Sequence, residues 1–95
     1  MSELKRAVEW DTVCGITPSY EQDLSAPIVE LAKDLVDEEH QELDDAYVEG
    51  DLEEVLDAIG DSLKVLAFLS NSLGVDPEEL LQEVNDSNFS KFCYY

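Results

Sequence analysis

Positive charge is what this chain has least of. Five Lys and Arg stand against 24 Asp and Glu, a formal net charge of −19 over 95 residues. Binding to a nucleic-acid backbone requires Lys and Arg that displace its counterions, so the composition excludes direct nucleic-acid binding. Four readings of the charge remain: cation binding, a basic protein partner, nucleic-acid mimicry, or adaptation to salty surroundings. Cysteine is scarce too. Cys14 and Cys93 lie near opposite ends without CxxC or zinc-type spacing, the pattern of two reduced thiols and not of a disulfide framework. Long apolar runs are missing altogether. The opening MSELKRAVEWD carries no signal-peptide core, and no stretch is long enough to span a bilayer. A soluble, cytoplasmic protein with no membrane partner is the expectation.

What the chain does have is apolar residues in quantity, 44% of the total, too many for a disordered polymer despite the charge. At this length one domain, residues 1–95, is expected, with a core so small that self-association becomes a reasonable expectation.

The spacing predicts four helices and no strand, hence an all-α bundle. Ser2 suits an N-cap, with Glu3 in the first turn of a helix running to about Gly15. ITPSYEQDLSAP, with two prolines, reads as a surface loop. Pro27 opens a second helix that runs to Glu49 and stops at Gly50. Asp51 caps a third, which continues to Gly74. Asp76 caps a fourth, with Pro77 at its first helical position and the tail NDSNFSKFCYY following. The two long helices joined at EGD form a tight hairpin.

On the second helix, at about 100° per residue, Ile28, Leu31, Ala32, Leu35 and Ala46 fall in one apolar stripe. Glu39 and Glu42 fall inside it and Glu38 at its edge, while Lys33, Asp37, His40 and Asp44 point away. Carboxylates facing a core are costly unless paired or bound to metal, and five basic residues cannot pair them generally. On the third helix Leu52, Leu56, Ile59, Leu63, Leu66 and Leu73 form a seam at spacings of four and three. On nearly the opposite side run Glu54, Asp57, Asp61 and Lys64, continued by Phe68 and flanked by Val65 and Leu69. Two sides meant for burial imply a central helix in a bundle shared between subunits. Taken alone, a charge run on a helix is ordinarily a solvated face, and it is the second helix, with acids interrupting its apolar stripe, that points to metal. Oxygen-only ligands suit a hard cation, Mg²⁺ or Mn²⁺, over zinc. A di-iron bundle would need a Glu-x-x-His on each of two helices, and the one histidine, His40, points to solvent.

EEHQE, Glu38 to Glu42, followed on the next helix by DAIGD, Asp57 to Asp61, resembles the motif pair of the all-α nucleotide pyrophosphohydrolases. That superfamily contains the MazG-like proteins, the phosphoribosyl-ATP pyrophosphohydrolases and the dimeric dUTPases and dCTPases. The tail EVNDSNFSKF is similar to the V-x-x-S-N-x-S-K ending of short MazG-like proteins, and the resemblance spans Pro27 to Phe92. It implies a four-helix MazG-like bundle assembled as a homodimer or homotetramer. It also implies a Mg²⁺-dependent hydrolase that converts a nucleoside triphosphate to a monophosphate and pyrophosphate. By position, Glu39 and Glu42 match the metal-holding glutamates, Glu38 the first acid of the motif and Asp61 its final aspartate. Ala58 stands where the family's ExxD has Glu, with Asp57 as the substitute; Glu54-x-x-Asp57 is a second frame that fits. Asn88 and Lys91 match tail residues near the nucleotide. Lys64 is expected either at a phosphate or in a salt bridge to Asp61 one turn back. Glu38 or Glu39 is the acid expected to orient or deprotonate the attacking water. Trp10, the sole tryptophan, reads first as a core or interface anchor and second as a stacking platform for a base. The competing functions are an acidic helical mimic of nucleic acid and a non-catalytic metal-binding bundle.

Overall fold

The computed structural model describes residues 2–13 and 23–92, with side chains at 2–10 and 23–87. Its elements are α1 (Glu3–Val13), α2 (Pro27–Glu49), α3 (Leu52–Ser72) and α4 (Pro77–Phe92). No strand occurs among the described residues, so the all-α bundle stands. Cys14 and most of the first loop lie outside the described residues, as does the expected end of α1 at Gly15.

The caps follow from the residues that the sequence places at each end. The Ser2 Oγ accepts from the Lys5 N–H at 3.1 Å and so satisfies one of the free donors of α1. Asp76 Oδ1 accepts from the Glu78 N–H at 2.9 Å at the start of α4. The hairpin turn is the most tightly specified. Gly50 takes a left-handed φ of 73°, a conformation costly for residues with a Cβ. The Gly50 N–H then donates to the Tyr47 carbonyl at 3.1 Å and the Asp51 N–H to the Ala46 carbonyl at 3.2 Å, the bonds of a Schellman stop. Asp51 next caps α3, its Oδ1 accepting from the Glu54 N–H at 3.2 Å. One residue therefore closes α2 and opens α3. At its other end α3 stops at Ser72, short of the expected Gly74. The Leu73 N–H bonds back to Leu69, and Gly74 takes φ 78°.

Among the described residues α2 packs on α3 alone, while α3 also meets α1 and α4. The third helix is central, as the two-sided pattern predicts. Its buried apolar residues are Ala58, Ala67 and Phe68, with Ala58 and Ala67 on opposite sides of the helix, and α2 contributes Val29, Ala32 and Ala46 to the core. Small residues dominate this list, which lets two helices approach closely. The covered stripe of α2 is turned toward Val29 from the expected position, and Leu31 is half exposed. With a single neighbour, α2 can bury only a narrow stripe, and Leu31 falls on its open flank. The leucine seam of α3 stays largely open among the described residues: Leu52, Leu56, Ile59, Leu63 and Leu66 are 43–71% exposed.

Candidate active site

The hairpin turn sets the height of every acid along α2 and α3. Glu42 lies eight residues before Gly50 and Glu39 eleven, while Asp61 lies ten after Asp51. At about 1.5 Å per residue all three stand about 12–16 Å from the turn, so the fold brings them level. Glu39, Glu42 and Asp61 each present an oxygen, and these oxygens lie within 4.8 Å of one another. Asp57, one turn closer to the hairpin end, falls below that level and is not part of the trio. It lines an open groove of about 410 Å³ between the helices, together with Glu42, Asp45, Glu49, Glu54 and Asp61.

Glu39 has the least comfortable position. It is half-buried, and its Oε2 has no hydrogen-bond partner among the described residues. Its pKa is raised above the ordinary glutamate value, first by desolvation and then by a hydrogen bond to the Glu42 carboxyl. The charges of Glu42, Asp61 and Glu38 push it further the same way. Desolvation and like charge both disfavour the anion. An unpartnered buried oxygen among carboxylates, with no nitrogen or sulfur donor in the set, fits a hard divalent cation. Glu39, Glu42 and Asp61 would hold it, with Asp57 the next acid along the groove.

The other expected site residues distribute as follows. Glu38 is exposed beside the trio. Lys64 makes no ion pair among the described residues, whose ion pairs are Arg6–Glu3 and Lys33–Asp37. Its Nζ instead sits 5.2 Å from the centroid of the Trp10 ring, a cation–π contact between two exposed side chains. That placement corrects the salt bridge to Asp61 as the alternative for Lys64. The backbones of Asn88 and Lys91 belong to α4, but their side chains lie outside the described residues. Lys33, Asp37, His40 and Asp44 are exposed, as their place on the helix requires. Asp45 and Glu49 are groove residues that the sequence reading missed. Their signal was available, since they follow Glu42 at three and seven residues, one face of a helix.

The model of the phosphoribosyl-ATP pyrophosphohydrolase family matches residues 1–88. The chain belongs to the phosphoribosyl-ATP pyrophosphohydrolase family. Membership places it among the hydrolases that act on phosphoric anhydrides. The match takes in all of α1 and so reaches further toward the N-terminus than the Pro27–Phe92 span that the motifs alone suggested, while ending four residues before Phe92. Comparisons with curated proteins and with solved structures returned no match. No helix among the described residues of this family member is long and apolar enough to cross a membrane.

Proposed function

We propose that the chain, residues 1–95 acting as one MazG-like domain, is a Mg²⁺-dependent nucleoside triphosphate pyrophosphohydrolase. Mn²⁺ is the alternative hard cation. The observation that carries this reading is the convergence of Glu39, Glu42 and Asp61 around an unpartnered buried oxygen, in a chain of a pyrophosphohydrolase family. A triphosphate brings negative charge to a site that is already negative. A divalent cation held by Glu39, Glu42 and Asp61 would neutralise that charge, lower the pKa of a water and stabilise charge in an in-line displacement.

The remaining work falls to the chain's own side chains. Glu39, Glu42 and Asp61 fix the position of the cation, and Asp57 extends the acidic wall along the groove. Glu38, exposed at the rim, or Glu39 itself orients the attacking water and takes its proton. One water is consumed across the anhydride, the bond to the departing pyrophosphate breaks, and a nucleoside monophosphate remains. Lys64, Asn88 and Lys91 are the groups assigned to the substrate side. The protein works in the cytoplasm as a homodimer or homotetramer, without membrane or nucleic-acid partners.

The acidic-mimic reading is weaker because a mimic displays its carboxylates outward, whereas Glu39 is drawn into the α2–α3 interface. A bare metal bundle would gain stability from Mg²⁺ and release no pyrophosphate, whereas in the enzyme Lys91→Ala should impair turnover and leave the Mg²⁺-dependent rise in Tm intact. The deciding experiment is a Mg²⁺-dependent pyrophosphate-release assay across the common nucleoside triphosphates and phosphoribosyl-ATP, itself an N-substituted ATP. Turnover should appear with Mg²⁺, vanish with chelator, and fall by at least about 10²-fold in Glu42→Gln. In the same series Mg²⁺ should raise the Tm of the parent by mass action and fail to raise that of the variant. Equal turnover in Glu42→Gln and parent would remove the trio from the site.

A further inference from the structure

Trp10 has no task in the core, being 55% exposed among the described residues, yet its ring carries the Lys64 ammonium. We propose that Trp10 is a positioning residue of the candidate cation site. Its ring holds Lys64 away from Asp61, so that the Asp61 carboxylate stays open to a divalent cation. The inference rests on the reading of Glu39, Glu42 and Asp61 as ligands, and it gives α1, which supplies none of them, a part in that site.

By spacing alone Lys64 has an ionic partner. Asp61 precedes it by three residues on α3, a separation that brings two side chains within reach on a helix surface. Such pairs do form in this chain. Arg6 meets Glu3 at the same separation, 2.9 Å apart, and Lys33 meets Asp37 four residues on at 2.7 Å. Lys64 makes no ion pair among the described residues, and its Nζ lies 5.2 Å from the centroid of the Trp10 ring.

The preference has a physical cause. A cation–π contact between exposed groups is worth about twice an ion pair of this spacing on a helix surface. The packing of α1 on α3 brings the ring within range. At about 100° per residue, Lys64 stands about 60° round the helix from Asp61. It lies on the side where Leu4, Ala7, Trp10 and Leu81 wall a cavity of about 610 Å³. A flexible lysine stem can turn either way from there, and the ring decides which.

For the cation site the two directions are not equivalent. Glu39, Glu42 and Asp61 each offer one oxygen, all within 4.8 Å of one another, so an ammonium on Asp61 would occupy one donor of three. It would also set a positive charge beside the place of a divalent cation, and like charges in contact repel more strongly near a protein than in bulk water. The Glu39 Oε2, half-way into the interface, has no hydrogen-bond partner among the described residues, which agrees with a trio that no basic side chain has entered. In a chain with 24 acids and five basic residues, carboxylates compete for every cation. A neutral ring restrains a lysine without occupying a carboxylate, and it leaves the ammonium its full charge for the substrate side.

The test measures binding of Mn²⁺, the paramagnetic alternative to Mg²⁺, to the full chain through the electron spin resonance of the free ion, which needs no turnover. Trp10→Tyr, Trp10→Phe and Trp10→Leu grade the ring from strong to absent. Each is compared with Lys64 present and in a Lys64→Met background, with helix content checked by circular dichroism. With Lys64 present, the dissociation constant should rise along the series, by about 3- to 10-fold for Trp10→Leu. In the Lys64→Met background it should stay flat, and Lys64→Met alone should bind Mn²⁺ at least as tightly as the parent. Trp10→Tyr and Trp10→Phe carry the comparison if Trp10→Leu does not fold. A Trp10 that only steadies α1 would weaken binding equally in both backgrounds, and that result would overturn the inference while leaving the cation site intact. Unchanged affinity in all three ring variants would do the same. Binding by the parent that persists in Glu42→Gln would overturn the ligand trio itself, and with it the role given to Trp10.

Discussion

The two sides of α3 solve the same problem differently. The side toward α2 carries the small residue Ala58 together with Glu54, Asp57 and Asp61, which line the groove between the two helices. Another side is a row of Leu and Ile that stays 43–71% exposed among the described residues. A bulky aliphatic face needs another surface as large as itself, and a 95-residue chain has none to spare. The small-residue face instead lets α2 come near enough to bring carboxylates from two helices together. The candidate site thus sits where the chain packs on itself, and the exposed Leu and Ile row sits where it does not.

The largest effect expected from this contrast is on stability. Phe68 is buried, so Phe68→Ala should cost about 3–5 kcal/mol at any protein concentration. Leu56 is 58% exposed in the single chain. Leu56→Ala should therefore lower Tm chiefly by loosening the pair of copies, and its penalty should shrink as protein concentration rises. Thermal melts over a hundredfold concentration range separate the two. A Leu56→Ala loss that ignores concentration would make the seam an ordinary monomer surface.

The second effect concerns the acidic end of the covered side. The folded chain holds the Glu39 proton more tightly than the unfolded chain does, because desolvation and the neighbouring acids raise its pKa. Stability from that proton is complete below the ordinary value of 4.5 and is lost as pH climbs through the raised folded value. Without divalent metal the protein should consequently weaken as pH rises from the ordinary glutamate range toward neutrality. Glu39→Gln should flatten that decline and melt higher than the parent near neutral pH in chelator, yet gain nothing from Mg²⁺. A variant less stable than the parent under those conditions would mean that Glu39 is not strained by its neighbours.

Much of this was legible in the residues themselves. Pro27, Gly50, Asp51 and Pro77 fix helix ends by backbone chemistry that needs no partner, and all four stand where expected. Glu39, Glu42 and Asp61 were joined by the resemblance of EEHQE and DAIGD to a family's motif pair, and the tight turn at Gly50 is what sets them level on the two helices. What escaped depends on how many neighbours a helix finds. Leu31 and Val29 exchange roles because α2 has only α3 to lie against. The groove acids Asp45 and Glu49 were hidden by the surplus of carboxylates, in which a meaningful spacing resembles its surroundings. The salt-bridge alternative for Lys64 failed for a similar reason: an acid one turn away is an obvious partner, while Trp10 is distant in sequence and becomes a neighbour only when α1 packs on α3.

That lysine gives the smallest and most local test. It stands at the border between the acidic side of α3 and the side toward α1, so its partner tells which region claims it. Its ammonium lies over the Trp10 ring at 5.2 Å, a contact between exposed groups worth about 0.5–1 kcal/mol. Lys64→Met keeps the aliphatic length and removes the charge, so Tm should fall by no more than about 8 °C. Because Trp10 is the sole tryptophan, its emission reports the contact directly and should shift in Lys64→Met without any added ligand. Asp61→Asn should leave that emission where it was. If Lys64 also reaches a phosphate during turnover, the variant raises KM when the contact is equally strong throughout, and lowers kcat when it tightens only at the transition state. An emission spectrum that ignores Lys64→Met but moves with Asp61→Asn would hand the lysine back to the acidic side.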